Sequence, residues 1–219
     1  MSGGDWVVVV PVKPAAAGKT RLEVPGIDRV ALARAIALDT IAAATACDEV
    51  GQVIVVSDDA ALPLQAAGIP GLRFVSETEP DGSVPLAAAT ARADGGSRLD
   101  AAVAVGIAAA GERPRAALLG DLPALRPDDL AAALRAATAH DRTVVADAEG
   151  TGSTLLTSAA GVPWRSSFGD GSFVRHLDLG FVALDLPDAS TLRRDVDTAA
   201  QLAEAWALGL GPRTAALLP

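Results

Sequence analysis

Four consecutive valines, Val7 to Val10, constrain this chain more than any other stretch. An unbroken β-branched run suits a strand covered on both faces, so it predicts an inner strand of a parallel sheet flanked by helices. The composition changes at once after it. Pro11 and Pro14 stop regular pairing, three alanines add little bulk, and Gly18-Lys19-Thr20-Arg21 closes the loop with small, donor-rich and cationic groups. A loop of this kind leaving a buried strand is where open α/β sheets bind phosphorylated ligands. Of 18 cationic residues only two are lysines, Lys13 and Lys19, and both lie here. That points to compact ammonium groups in a role a guanidinium fork would not fill.

The following segments repeat the strand-helix alternation. Asp28 to Ala46 predicts a helix, Val53 to Val56 a strand, the stretch through about Ala67 a short helix, and Leu72 to Val75 a third strand. This β-α-β-α-β order implies a mostly parallel sheet with helices on both faces. Glu77 to Ser97 is rich in Pro and Gly and reads as a lid or binding loop, with room for a helical turn at Leu86 to Arg92. Helices are expected at Leu99 to Ala110, Pro127 to Thr138, Phe173 to Leu179 and Thr198 to Leu208. Strands are expected at Ala116 to Leu119, Arg142 to Ala146, Thr154 to Thr157 and Gly180 to Leu184, with Arg194 to Val196 short and extended. The tail after Gly209 reads as an irregular surface segment.

A length of 219 residues fits one domain with a sizeable core, and no internal repeat or linker divides it. The formal charge of −9 argues against nucleic-acid or anionic-membrane partners. Cys47 is alone, so no internal disulfide or cysteine metal pattern exists, and it reads as a small buried residue. No signal-peptide pattern or long apolar run is present, so a cytoplasmic protein is expected.

Several groups can carry chemistry. The P-loop pattern fails, because its first Gly would fall at Lys13, but Lys19 and Arg21 remain suited to charge-assisted bonds with phosphate. Asp121 is expected at the carboxyl end of a strand, facing the crevice where α/β sheets hold ligands, and its oxygens suit Mg²⁺ bridged to phosphates. Asp195 and Asp197 flank one valine. In extended chain they project from one face about 6.6 Å apart, within reach of one metal-phosphate centre. Thr198 with Gln201 offers a capping box to the last helix, which leaves Asp197 unneeded as a cap. Gly150-Thr151-Gly152-Ser153-Thr154 and Gly169-Asp170-Gly171-Ser172 are turns rich in N–H and hydroxyl donors, the second before a helix start that would attract an anion. Asp58-Asp59 reads as an N-cap pair, His176 as a helix-surface residue, His140 as solvated, and Trp164 and Phe168 as exposed, against a lid or a partner. With only two histidines so placed, no Ser-His-Asp arrangement can be assembled.

These motifs occur in an order that resembles a known family. Val10-Pro11-Val12-Lys13 with Gly18-Lys19-Thr20-Arg21-Leu22, Val55-Val56-Ser57-Asp58-Asp59, Gly120-Asp121-Leu122-Pro123, Gly150 to Thr154, Phe168-Gly169 with Ser172-Phe173 and His176, and Asp195-Val196-Asp197-Thr198 together resemble the guanylyltransferases of deazaflavin coenzyme (factor 420) biosynthesis. These act on phosphoenolpyruvate or 2-phospho-L-lactate, and the Ala- and Arg-rich composition resembles actinobacterial members, which favours phosphoenolpyruvate. The resemblance covers nearly the whole chain. It implies a three-layer, Rossmann-like nucleotidyltransferase fold in a single domain.

The resemblance also implies particular roles. Lys13, Lys19 and Arg21 would hold the GTP triphosphate, Asp121, Asp195 and Asp197 would hold Mg²⁺, and Thr154, Gly169 and Ser172 would bind phosphoenolpyruvate. Lys19, Arg21 and Asp121 would be catalytic. The transferase that consumes the product would be a partner. Arg98-Leu99-Asp100 stands where relatives commonly have Gly-Leu-Asn, and Asp100 there could accept from a guanine N–H. The same fold with another phosphorylated acceptor, and a nucleotide-binding regulator without turnover, are the alternatives.

Overall fold

A computed structural model describes residues 4–15, 21–79 and 81–219. The segment Gly18-Lys19-Thr20 of the opening loop lies outside the described residues. The valine run forms β1 (Trp6–Pro11), fully buried along its length. Val7 and Val9 enter one apolar layer and Val8 and Val10 the other, as the period of two requires of a strand covered on both sides. β2 (Val50–Val56) and β3 (Leu72–Val75) add in parallel on one side, and β4 (Arg115–Leu118) adds in parallel on the other.

Beyond β4 the order changes direction. β5 (Arg142–Ala146) and β6 (Ser153–Ser158) form a hairpin, and it is β6 that pairs with β4, antiparallel. With β7 (Val182–Ala183) parallel to β5 at the edge, the seven-stranded order is β3-β2-β1-β4-β6-β5-β7, and β6 alone is reversed.

Helices cover both faces. On one, α1 (Arg29–Thr45) and α5 (Pro127–Ala137) pack Ile41, Leu130 and Leu134 against Val8, Val10 and Leu118. Asp28 caps α1, its carboxylate accepting from Ala31 N at 2.7 Å. A single turn, α2 (Leu62–Gln65), adds Leu62 to the same layer. On the other face, α3 (Leu86–Ala93) and α4 (Arg98–Ala110) cover Val7, Val9, Ile54 and Val56. No helix among the described residues is long and apolar enough to cross a membrane.

Gly106 lets α4 approach the sheet. A Cβ there would fall 2.3 Å from Val9 Cγ1 and 2.7 Å from Val56 Cγ2, and β-branched neighbours cannot rotate away. Gly106→Val is therefore expected to destabilise the protein by about 1–3 kcal/mol, a fall of about 2–12 °C in Tm for a chain of this size. Thermal denaturation measures it, and an unchanged Tm would contradict the close approach.

The structure differs from the sequence reading in three places. The segment 77–97 contains α3, a full two-turn helix. Residues 191–193 form a 3₁₀ turn, η1 (Thr191–Arg193), held because Thr191 N and Oγ1 both donate to Asp129 on α5. The tail is docked rather than loose: after α7 (Ala199–Leu208), the short α8 (Pro212–Ala215) donates Thr214 N at 2.7 Å and Arg213 N at 3.2 Å to the buried carboxylate of Asp39 on α1.

Candidate active site

At the carboxyl ends of β1 and β4 opens a cleft of about 470 Å³. β4 delivers Asp121 to it, and two hydrogen bonds fix the chain there. Thr40 Oγ1 on α1 accepts from Leu122 N at 3.0 Å, and the Asp121 carbonyl accepts from Val196 N at 3.0 Å. The second bond stitches the two acidic segments together, so Asp121 and Asp195 meet although 74 positions separate them in the numbering. Asp195 and Asp197 both line the cleft, as their spacing predicted.

The centre of the acidic group differs from the prediction. Carboxylate oxygens of Asp147, Glu149 and Asp195 lie within 4.8 Å of one another, while Asp197 is exposed and outside that group. Asp147 and Glu149 arrive on the β5–β6 turn. Asp147 shapes the turn as well, accepting from Thr151 N at 2.8 Å and from Gly152 N at 2.6 Å. A Cβ at 152 would meet Asp147 Oδ2 at 2.4 Å, so any larger residue there would push the Asp147 carboxylate aside. Arg193 donates to the Asp147 carbonyl from Nε and Nη2, and Gln201 of α7 donates to Glu149 at 2.9 Å, so both segments are tied to the cluster from behind. The one-residue spacing of Asp147-Ala148-Glu149 repeats that of Asp195-Val196-Asp197 and is the sequence signal for these residues.

The neighbouring carboxylates crowd Asp195. The Asp195 carboxyl is pushed up to about 8, first by burial and then by the charges of Asp121, Asp147 and Glu149. Its buried Oδ1 has no hydrogen-bond partner among the described residues. An all-oxygen donor set that repels itself in this way fits a hard divalent cation.

The facing wall is built from donors. Arg175 on α6 (Ser172–Asp178) donates to Ser167 Oγ at 3.0 Å and to the Asp170 carbonyl at 2.5 Å, pinning the loop that carries Gly169. Gly169, Ser172 and Ser153 all line the cleft. Two of the first N–H groups of α6 are already engaged: Ser172 N donates to the Gly169 carbonyl and Phe173 N to the Thr151 carbonyl. Thr154 is not on the cleft wall. Register slips at the end of the hairpin, where Val145 pairs with Leu155 but Ala146 with Ser153, and Thr154 is fully buried with its carbonyl accepting from Leu119 N. The side chain that reaches the cleft here is Ser153.

Other expectations are also corrected. Asp100 is 2% exposed and both its oxygens are engaged. Oδ2 accepts from Ser97 N and Oγ, closing a capping box on α4, and Oδ1 accepts from Phe168 N at 3.0 Å, so no side chain is left facing outward to read guanine. Phe168 and His176 are buried rather than exposed, the His176 ring packing against both Phe168 and Phe181. Asp59 does more than cap. It takes the Arg34 guanidinium at 3.1 Å and Ala15 N at 3.4 Å, and Arg34 with backbone donors holds its carboxyl below the usual range despite partial burial. Asp58 accepts instead from Ser76 Oγ and Glu77 N. The opening loop is thus anchored at Ala15, whose carbonyl also accepts from Arg29. Lys13 lines the cleft, Arg21 is exposed, and Lys19 lies outside the described residues. Cys47 is buried and His140 exposed, as expected.

The chain is similar to known proteins over nearly its whole length. A phosphoenolpyruvate guanylyltransferase of Thermomonospora curvata is 47% identical over 219 residues, covering 97% of this chain and 88% of the relative. One of Salinispora arenicola is 45% identical over 216 residues, with 97% and 92% covered. Among solved structures, a Desulfovibrio desulfuricans protein described as a nucleotide-diphospho-sugar transferase superposes with a TM-score of 0.54 over 94% of this chain and 96% of its own, at 17% identity, which shows a shared α/β nucleotidyltransferase fold. The family model described as "Guanylyl transferase CofC like" matches residues 6–218. The chain belongs to the CofC-like guanylyl transferase family.

Proposed function

We infer that this protein transfers GMP from GTP to phosphoenolpyruvate, giving enolpyruvyl-diphospho-guanosine and pyrophosphate, in deazaflavin coenzyme (factor 420) biosynthesis. The observation that carries the reading is one cleft lined by the carboxylates of Asp121, Asp147 and Asp195 together with hydroxyl- and glycine-bearing turns. The names of the actinobacterial relatives supply the acceptor.

Asp121, Asp147 and Asp195 would hold the divalent cation, Mg²⁺ in this reading. Bound there, it would neutralise triphosphate charge and favour departure of pyrophosphate. Lys13 on the cleft, with Lys19 and Arg21 of the same loop, binds the triphosphate. Gly169, Ser172 and Ser153 hold the acid and orient its phosphate. That phosphate is largely ionised at pH 7, so it needs no side-chain base. Its oxygen bonds to the α-phosphorus of GTP as the α–β anhydride bond breaks, and the electron pair leaves with pyrophosphate. The two histidines fit this scheme, one exposed and one buried. The 219 residues act as one catalytic domain in the cytoplasm, and the transferase that takes the labile product is the natural partner.

The test is pyrophosphate release with Mg²⁺ by the purified protein, using GTP, ATP, CTP and UTP against phosphoenolpyruvate and 2-phospholactate, with early mass detection of the product. Turnover with GTP and phosphoenolpyruvate is expected. Turnover with 2-phospholactate alone would transfer the reading to that acid, and silence from folded protein across all pairs would overturn it.

A further inference from the structure

His176 has no exposed surface, and its ring lies edge-on to Phe168 with centroids 5.2 Å apart. A buried imidazole must place both nitrogens. Ser167 N donates to Nε2 at 3.0 Å. A backbone N–H cannot accept, so Nε2 is unprotonated and the neutral ring carries its proton on Nδ1. Nδ1 is 2.9 Å from Ser153 Oγ and therefore donates to it. Ser172 Oγ donates to the same oxygen over 3.4 Å. With two donors on Ser153 Oγ, the one remaining direction, its own O–H, is left for the cleft that Ser153 lines.

We propose that His176 is a positioning residue that fixes the Ser153 hydroxyl as a one-way donor to an anionic oxygen of the small phosphorylated acid in the cleft. The inference rests on the function proposed above and adds to it a specificity element. A hydroxyl free to rotate can serve donors and acceptors alike, whereas one already accepting twice recognises only acceptors such as carboxylate or phosphate oxygens. The chain Ser167 N–H to His176 to Ser153 runs in one sense, so each bond polarises the next. Burial lowers the His176 pKa to about 4, in keeping with a ring that would set N–H against N–H at Ser167 if it gained a proton.

The test compares binding of phosphoenolpyruvate, by calorimetry, and steady-state KM for both substrates. Ser153→Ala is expected to raise Kd and KM for the acid about 10- to 100-fold, the scale of one hydrogen bond to a charged group, while KM for GTP stays within about twofold. His176→Gln keeps an acceptor near the Nε2 position but loses the donor to Ser153, and is expected to match Ser153→Ala. His176→Asn keeps an amide N–H near the Nδ1 position and is expected to retain most of the affinity. Adding Ser153→Ala to His176→Gln should cost nothing more. Parallel titration with inorganic phosphate separates the two anionic groups: equal weakening places the hydroxyl on the phosphate, and no weakening places it on the carboxylate. A Ser153→Ala protein with wild-type affinity for the acid would overturn the proposal even if the histidine variants fail to fold, as would equal losses in the Gln and Asn variants. A wild type that turns the acid over while Ser153→Ala behaves identically leaves the function standing and removes this element alone. A wild type that neither binds nor converts the acid removes both.

Discussion

Asp121→Asn is expected to cut turnover by about 10²–10³, the scale seen when one electrostatic stabiliser is lost. The substitution keeps the volume of the side chain and leaves intact both bonds that fix the backbone, from Leu122 N to Thr40 and from Val196 N to the Asp121 carbonyl. What changes is one negative charge beside Asp195. Pyrophosphate release at saturating GTP and acid measures the effect, and the circular dichroism spectrum and Tm confirm the fold. A folded variant with wild-type turnover would remove Asp121 from the reacting centre.

Cation binding near neutral pH is expected to expel a proton and to stabilise the protein most on the alkaline side. The Asp195 carboxyl rises from 3.8 to about 8 in the folded chain. The folded state therefore holds this proton more tightly than the unfolded chain does. The contribution of the group to stability is fully present below about pH 4 and is lost as the pH rises through about 8. A divalent cation in the cluster replaces the proton, so binding at pH 7 should release close to one proton per ion, and about a tenth of that at pH 9. Calorimetry in two buffers of different ionisation heat reads the number directly. The rise in Tm on adding Mg²⁺ should be larger at pH 8 than at pH 5. Binding heats that do not depend on the buffer at pH 7 would show that no proton is shared by these carboxylates.

Much of the frame was legible because it rests on local rules. The valine run, the four-residue strand at Leu72 and the proline-started α5 each carry their own signal, and Asp121 could be expected on the cleft it lines because strand ends in open α/β sheets open onto a crevice. What escaped depends on which elements become neighbours. Asp147 and Glu149 were passed over because their spacing, although it repeats that of Asp195 and Asp197, does not say that the β5–β6 turn comes to Asp195. His176 was misplaced because a helix of two turns has no periodicity long enough to show a buried side, and Phe168 because it lies in a loop, where periodicity says nothing. Asp100 was offered as an acceptor for guanine where the chain departs from its relatives' Gly-Leu-Asn, although Ser97 three residues before it offered the cap that the structure uses.

The reversal of β6 acts as a ruler across the cleft. Because that strand runs against its neighbours, the acid Asp147 and the donor Ser153 stand at the two ends of one tight turn, held by Thr151 N and Gly152 N on the Asp147 carboxylate. The spacing of these two side chains is thus set by a few covalently linked residues and not by the packing of separate layers. Packing tolerates drift of an ångström as side chains change, whereas a turn clamped at Gly152 does not. In the reading proposed above, an acceptor with more atoms between its phosphate and its carboxylate calls for a turn of different length on an otherwise unaltered frame.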